Sequence, residues 1–281
     1  MGRKRQQHQI KEHLKKCRLV SLLGTAGVGK THLTLEIASK WRESYQQDVI
    51  FCDVTSATDA SGFIQIIGQA LQVQLSLKSP QQQLEKELRR RDSILLIIDN
   101  VEQVVSDASD IINSILNNTT DVKILVTSRV KLDLEKEQIY PLHPLSLLEG
   151  IELFTQVAQE LRPDFIIDKD NRTTISKIVN ELDSLPLAIE LAAARISTLS
   201  LDQILDRLSE RFTLLQGRIR DPNRRALIGA LDWSWDLLSD LEKSVLTQVS
   251  VFKNGFDLEA AEFVVNLPSA DTPVPILDVI D

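Results

Sequence analysis

Short apolar runs alternate along the first half of the chain with longer segments whose apolar residues recur every three to four positions. LVSLL at 19–23 is such a run and stops at Gly24. From Lys30 to Trp41 the spacing changes, with Leu33, Ile37 and Trp41 four apart, the repeat of one helix face. DVIFCDV at 48–54, SILLII at 93–98 and VKILVTS at 122–128 repeat the apolar run. QIYPL at 138–142 is shorter and carries a proline, which confines it to a sheet edge. Helical spacing fills the gaps at 59–72, from Pro80 to about Arg91, and at 102–117, with Pro80 suited to a first helical turn. Strands apolar on both faces, alternating with helices, predict a parallel α/β sheet covered on both sides.

After Pro144 the strand pattern stops. Segments 146–160, 170–183, 186–198 and 201–210 read as amphipathic helices, the first with a capping-box signal at Ser146 and Glu149. A polar break with Gly217, Asp221 and Pro222 follows, and helical spacing resumes at 223–238, 239–249 and 257–265. Three units are therefore expected, at 1–145, 146–220 and 221–281. The closing LPSADTPVPILDVID has no terminator, which predicts a chain that stops inside its last domain.

Composition refines this picture. Hydrophobic residues make up 43% of the 281 positions and aromatics only 5%, so the core must be built from Leu, Ile, Val and Ala. The net charge of −8 argues against a general polyanion binder. The first eighteen residues invert that balance, with Arg3, Lys4, Arg5, Lys11, Lys15, Lys16 and Arg18 against Glu12 alone. A solvated helix face explains them more simply than a nucleic-acid or localisation role. Cys17 and Cys52 lack metal-ligand spacing and are expected to be free thiols. No signal peptide or bilayer-length apolar stretch is visible, so a cytoplasmic protein without a membrane partner is expected.

The candidate chemistry begins at GTAGVGKT, 24–31, which fits the pattern G-x-x-x-x-G-K-[ST] between an apolar strand and an amphipathic helix. Gly24, Gly27 and Gly29 let the backbone of Thr25, Ala26, Val28 and their neighbours turn consecutive N–H groups toward phosphate oxygens. The helix beginning near Lys30, with His32 in its first turn, adds its positive dipole end. Lys30 is expected to reach the β- and γ-phosphates, and the Thr31 hydroxyl to hold Mg²⁺. In ILLIIDN, 94–100, a buried strand ends in Asp99, which places a carboxylate at the sheet edge for the same Mg²⁺. The next residue, Asn100, cannot act as a general base. Glu102 could substitute, or could serve only as a helix-dipole partner. In VTSR, 126–129, Arg129 is placed to stabilise a γ-phosphate, with Thr127 or Ser128 as further hydrogen-bond donors. In SLPLAIELAAARI, 184–196, Pro186 opens a helix with a small-residue face.

Taken in order, these segments resemble the STAND class of P-loop NTPases, near the NB-ARC and AP-ATPase group, and bacterial regulators of AfsR or LuxR type. GRKRQ at 2–6, LLIIDNVEQV at 95–104, ILVTSRVKL at 124–132, LPLAIELAAARI at 185–196 and LDWSWDLLSDLEKSVL at 231–246 carry the likeness. The resemblance implies a five-stranded sheet in the order 5-1-4-3-2, then a helical domain and a partial winged-helix domain. It implies ATP or ADP with Mg²⁺ clamped between the first two, Pro186 on the adenine, Arg3 near the base and Arg129 as a sensor. An ADP-bound closed form and an ATP-bound open form with slow hydrolysis follow from it, with protein partners or self-oligomers on activation. Two other readings stand beside it: a faster AAA+-type ATPase, which Asn100 disfavours, and a DNA-binding transcriptional regulator, which the acidic balance disfavours.

Overall fold

The computed structural model describes residues 3–215 apart from 46, 77 and 92, and then 228, 231–232, 235–236, 238–252 and 255–266. Helix α1 (Lys4–Lys16) leads into β1 (Leu19–Leu23), and α2 (Lys30–Tyr45) follows the glycine-rich loop. Next come β2 (Asp48–Asp53), α3 (Ala60–Ala70), α4 (Pro80–Arg90), β3 (Ile94–Asp99), α5 (Val105–Asn118), β4 (Val122–Ser128) and β5 (Glu137–Pro141). All strand pairings are parallel, in the order β2-β3-β4-β1-β5, as expected from the sequence.

The period-two alternation of the strands sorts their side chains between two cores. On one face Val20, Leu22, Leu95, Ile97 and Leu125 pack with Ile10 and Leu14 of α1 and Leu33, Ile37 and Trp41 of α2. On the other, Leu96, Ile98, Ile124 and Val126 pack with Phe63, Ile67, Leu84, Leu88, Ile112 and Ile115 of α3, α4 and α5. β3 is buried at every residue because it sits inside the sheet with helices on both sides, whereas β5 is only half-buried at the edge. The basic residues at the chain start lie on α1, whose inner face buries Gln7, Ile10 and Leu14, while Lys4, Arg5, Lys15 and Lys16 are exposed. Both cysteines are free: Cys17 is half-buried, and burial pushes the Cys52 thiol up to about 12.

Helices α6 (Leu147–Leu161), α7 (Lys169–Glu181), α8 (Pro186–Ala193) and α9 (Leu201–Leu215) follow. Ser146 and Glu149 form the reciprocal capping box at α6. The segment expected as one helix over 186–198 instead divides into α8 and a 3₁₀ turn, Ala194–Ser197. Phe154, Ile178, Val179, Leu182, Ile189 and Ile204 join these helices to each other and, through Leu142 and Leu145, to the core under α2. α6 crosses α7 so closely that a Cβ on Gly150 would lie 2.5 Å from Val179 Cγ1. Two further helices, α10 (Asp240–Val249) and α11 (Leu258–Val264), enclose a small cluster of Val245, Val249, Ala261 and Val265. The segment expected as a helix over 223–238 lies mostly outside the described residues. Among those described, no helix is long and apolar enough to cross a membrane.

Candidate nucleotide site

The chain leaves β1 at its carboxyl end and turns through 24–29 into α2. In this order β1 lies between β4 and β5, so the turn opens at the edge where the strand order reverses, the place where α/β sheets hold ligands. Gly27 (φ 73°) and Gly29 (φ 88°) take the left-handed conformation that the curl requires. Gly24 is needed for a different reason: a Cβ there would lie 2.9 Å from both the Leu142 carbonyl oxygen and Val28 Cγ1. Lys30 Nζ donates to the carbonyls of Gly24 (2.9 Å) and Thr25 (3.2 Å). Burial holds the Lys30 ammonium below its ordinary pKa; the charge of Glu102 opposes this, Arg129 adds to it and Asp99 opposes it.

Asp99 sits at the end of β3, almost wholly buried, with both oxygens engaged. Oδ2 accepts from the Thr31 hydroxyl at 2.7 Å and Oδ1 from the Thr127 hydroxyl at 2.5 Å. Burial raises its pKa, and the bonds from Thr127 and Thr31 only partly counter that. Thr127 also accepts the Asn100 N–H at 3.0 Å, and Ser128 Oγ accepts the Val130 N–H at 3.1 Å. The Thr127 hydroxyl therefore spends its proton on Asp99, whereas Ser128 Oγ acts here as an acceptor for the following turn. β4 lies between β1 and β3, so Thr127 bridges the loop's strand to the acid's strand.

Asn100 is left-handed (φ 66°) and its Nδ2 donates to Asp99 Oδ2 at 3.0 Å. The chain then enters a 3₁₀ turn, Val101–Gln103, which carries Glu102 toward the glycine-rich loop. Arg129 Nε meets Glu102 Oε1 at 2.9 Å, with Arg129 60% and Glu102 16% exposed at the side chain. The second oxygen of Glu102 is buried without a partner.

A cavity of about 640 Å³ opens above these groups. Its floor is Ala26, Gly27, Gly29, Lys30, Thr31 and His32, and its side is Asn100, Glu102 and Arg129. Its roof is the α6 face Leu153, Gln156, Val157 and Glu160 with Pro186, Leu187 and Glu190 of α8. The roof touches the floor directly: the Leu187 N–H donates to the Gly27 carbonyl at 3.2 Å. Arg3, left-handed at φ 57°, closes the far end. Its Nη2 donates to the carbonyls of Val28 (2.8 Å) and His143 (3.0 Å), and its N–H reaches Glu149 Oε1 at 3.3 Å. Nη1 of Arg3 is buried and has no partner. Burial lowers its pKa, with Glu149 acting in the opposite sense.

Of the residues singled out from sequence, Arg3, Ala26, Gly27, Gly29, Lys30, Thr31, His32, Arg129 and Pro186 line one cavity. Gly24 and Thr25 sit at the base of the loop as acceptors for Lys30, and the buried Val28 side chain packs in the core while its carbonyl holds Arg3. Asp99 stands behind Thr31. Sequence reasoning missed Gln7 and Glu36 at the α1–α2 end and the α6 face; the spacing of 153, 156, 157 and 160 marked a common face but not which face met a ligand.

The cavity fits a nucleotide with Mg²⁺. Its volume is in the range of small-molecule sites. It carries a glycine cradle and an orphaned buried guanidinium nitrogen, Arg3 Nη1. Among the described residues no cluster of three or more His, Cys, Asp or Glu forms a dedicated metal cage. The Thr31 hydroxyl and Asp99 carboxylate are hard oxygen donors that suit an ion shared with phosphates and water.

Comparison with known proteins agrees. The AAA domain family matches residues 12–133. The uncharacterized protein Rv0894 of Mycobacterium tuberculosis is 34% identical over 271 residues, covering 94% of this chain and 68% of that protein. The regulatory protein AfsR of Streptomyces coelicolor is 26% identical over 271 residues, which span 90% of this chain and 26% of AfsR. The Signal Transduction ATPase with Numerous Domains (STAND) protein with a tetratricopeptide repeat sensor, PH0952 from Pyrococcus horikoshii, superposes with a TM-score of 0.55 at 17% identity. It covers 94% of this chain and 36% of that one. The chain belongs to one family with the mycobacterial protein, and its residues 12–133 are an AAA-type P-loop NTPase domain. The fold is that of the P-loop NTPases.

Proposed function

We propose that this chain is the nucleotide-responsive switch of a signalling or regulatory protein, holding ADP in a closed form, opening with ATP and hydrolysing it slowly. The observation that carries the reading is the two-sided cavity, with a phosphate cradle below and a helical roof above. In this reading residues 1–145 are the nucleotide-binding domain, 146–220 the lid, and 221–281 a winged-helix-like unit.

When bound, Mg²⁺ neutralises phosphate charge and steadies the leaving oxygen. The chain's own groups divide the remaining work. Backbone N–H groups of 25–30 cradle phosphate oxygens, and Lys30 exchanges its loop carbonyls for them. Thr31 and Asp99 hold the ion, with Asp99 fixed by Thr127. Arg3, Pro186 and the α6 face enclose the adenine and exclude water. A ligand that touches floor and roof together favours the closed form, and one that binds the two forms unequally shifts their balance. Asn100 beside the metal-holding acid accepts no proton from water, which fits slow turnover.

The likeness to the regulatory protein AfsR and to the STAND protein of Pyrococcus horikoshii supports a regulatory setting for this module. The test is nucleotide content: denature the purified chain and separate the released ligand by ion exchange. Near-stoichiometric ADP, lost in Lys30→Ala, is the expected result; a nucleotide-free chain that turns ATP over at about 1 s⁻¹ or faster, the kinase range, sinks the switch in favour of a fast ATPase.

A further inference from the structure

On the cavity wall, Glu102 has one oxygen held and the other buried without a partner. Oε1 is gripped by Arg129 Nε at 2.9 Å, and Oε2 is enclosed without a hydrogen-bond partner. An unpartnered buried carboxylate oxygen is costly, so such a group gains from any rearrangement that gives it a donor. Backbone geometry puts it there deliberately: left-handed Asn100, pinned through its N–H to Thr127, turns the chain into the 3₁₀ segment that presents Glu102 to the cavity. Its charge also reaches the P-loop, since it favours the protonated form of Lys30. Arg129 is the more exposed partner, 60% against 16% at the side chain, and it meets Glu102 through Nε.

We propose that Glu102 is the catalytic carboxylate of this ATPase, taking the place that Asn100 leaves chemically empty, and that Arg129 restrains it until a γ-phosphate draws the guanidinium away. This rests on the switch reading. In the restrained arrangement the carboxylate is spent on Arg129. Once Arg129 turns to a γ-phosphate, Oε1 of Glu102 is released beside the phosphate cradle and the carboxylate accepts a water. The water oxygen bonds the γ-phosphorus, and the bond to the bridging oxygen breaks with its electron pair leaving on ADP. The water's proton passes through the Glu102 carboxylate to the released phosphate. Recognition of the third phosphate and preparation of the water thus become one event, and ADP, which cannot draw Arg129 off, leaves the acid restrained.

The test uses the chain with Mg²⁺, fluorescent mant-ATP and mant-ADP for affinity, and single-turnover hydrolysis. Glu102→Gln keeps the shape of the side chain but holds Arg129 less tightly and accepts no proton. Hydrolysis should fall by about 100-fold or more, the usual worth of a general base. Preference for mant-ATP over mant-ADP should rise about two- to five-fold, the worth of a partly exposed ion pair. Arg129→Ala should lower that preference, the opposite direction, because it removes the phosphate partner. Hydrolysis by Glu102→Gln within about two-fold of wild type, well short of a general base's effect, overturns the proposal. So does a shift of both variants in the same direction, which marks a merely structural pair. A wild-type chain that binds neither probe in a Lys30-dependent way removes the switch reading itself, a distinct failure.

Discussion

The floor and the roof of the cavity are built on different principles. The floor is over-determined. Asp99 is buried in a strand that is itself buried throughout, both of its oxygens are bonded, and those bonds tie β3 to β4 and to α2. The roof meets that floor through the Leu187–Gly27 bond and the Arg3 bridge, with Glu149 taking the Arg3 N–H. Glu149 itself is held below the usual carboxylate range: burial pushes it up, but bonds from Ser146 and Arg3 outweigh that. In the proposed switch a rigid floor keeps phosphates and metal in register, whereas the roof, though it shares the core under α2, offers polar ties that a ligand can replace. The proposed switch would thus draw stability and motion from separate parts of one site.

Variants can widen or close that contrast. The largest effect is expected from Lys30→Ala on the floor. Removing a buried charge partner of the phosphates costs about 2–5 kcal/mol, and a titration that shows unchanged triphosphate affinity would remove the assignment. Next is Asp99→Asn, which keeps both threonine partners in reach but loses the charge. Mg²⁺-dependent nucleotide binding should weaken about 10- to 100-fold, as for groups that orient metal ligands, while binding in EDTA changes little; equal losses in both conditions count against a metal role. On the roof, Arg3→Ala removes two charged hydrogen bonds at about 1.5–3 kcal/mol. It should speed ADP release measured by mant-ADP chase, and an unchanged release rate would show that the bridge does not hold the lid. The smallest effect is expected for Pro186→Ala, about 1 kcal/mol of lost apolar contact. It should appear as a reduced preference for ATP over GTP, and an undiminished preference would detach Pro186 from the base.

Much of this was legible in the residues. The strand β3 runs Ile94–Asp99 where SILLII and a closing acid were read, and β5 fell at the edge where its proline put it. The glycine pattern and Asp99 were legible because each depends on local backbone geometry or on a strand that announces itself by apolar content. Other features were not. Helical spacing at 102–117 hid the 3₁₀ turn at 101–103, since a short turn and a helix start share the same apolar positions. Thr127 and Ser128 looked available for a phosphate, and their real partners lie in another strand or two residues on.

Sequence alone determined the kind of machine this is: a parallel sheet with a phosphate loop, an acid at the end of another buried strand, and helices to follow. Those are consequences of periodicities two and 3.6 and of glycine's freedom at positive φ. Tertiary structure alone decided which groups meet. It brought Arg3 to the Val28 and His143 carbonyls, set α6 over the loop, and paired Glu102 with Arg129, twenty-seven positions away. Such contacts join segments whose local patterns are independent of one another, so no spacing within the chain encodes them; they arise only when the sheet order and the packing of its covering helices are both in place.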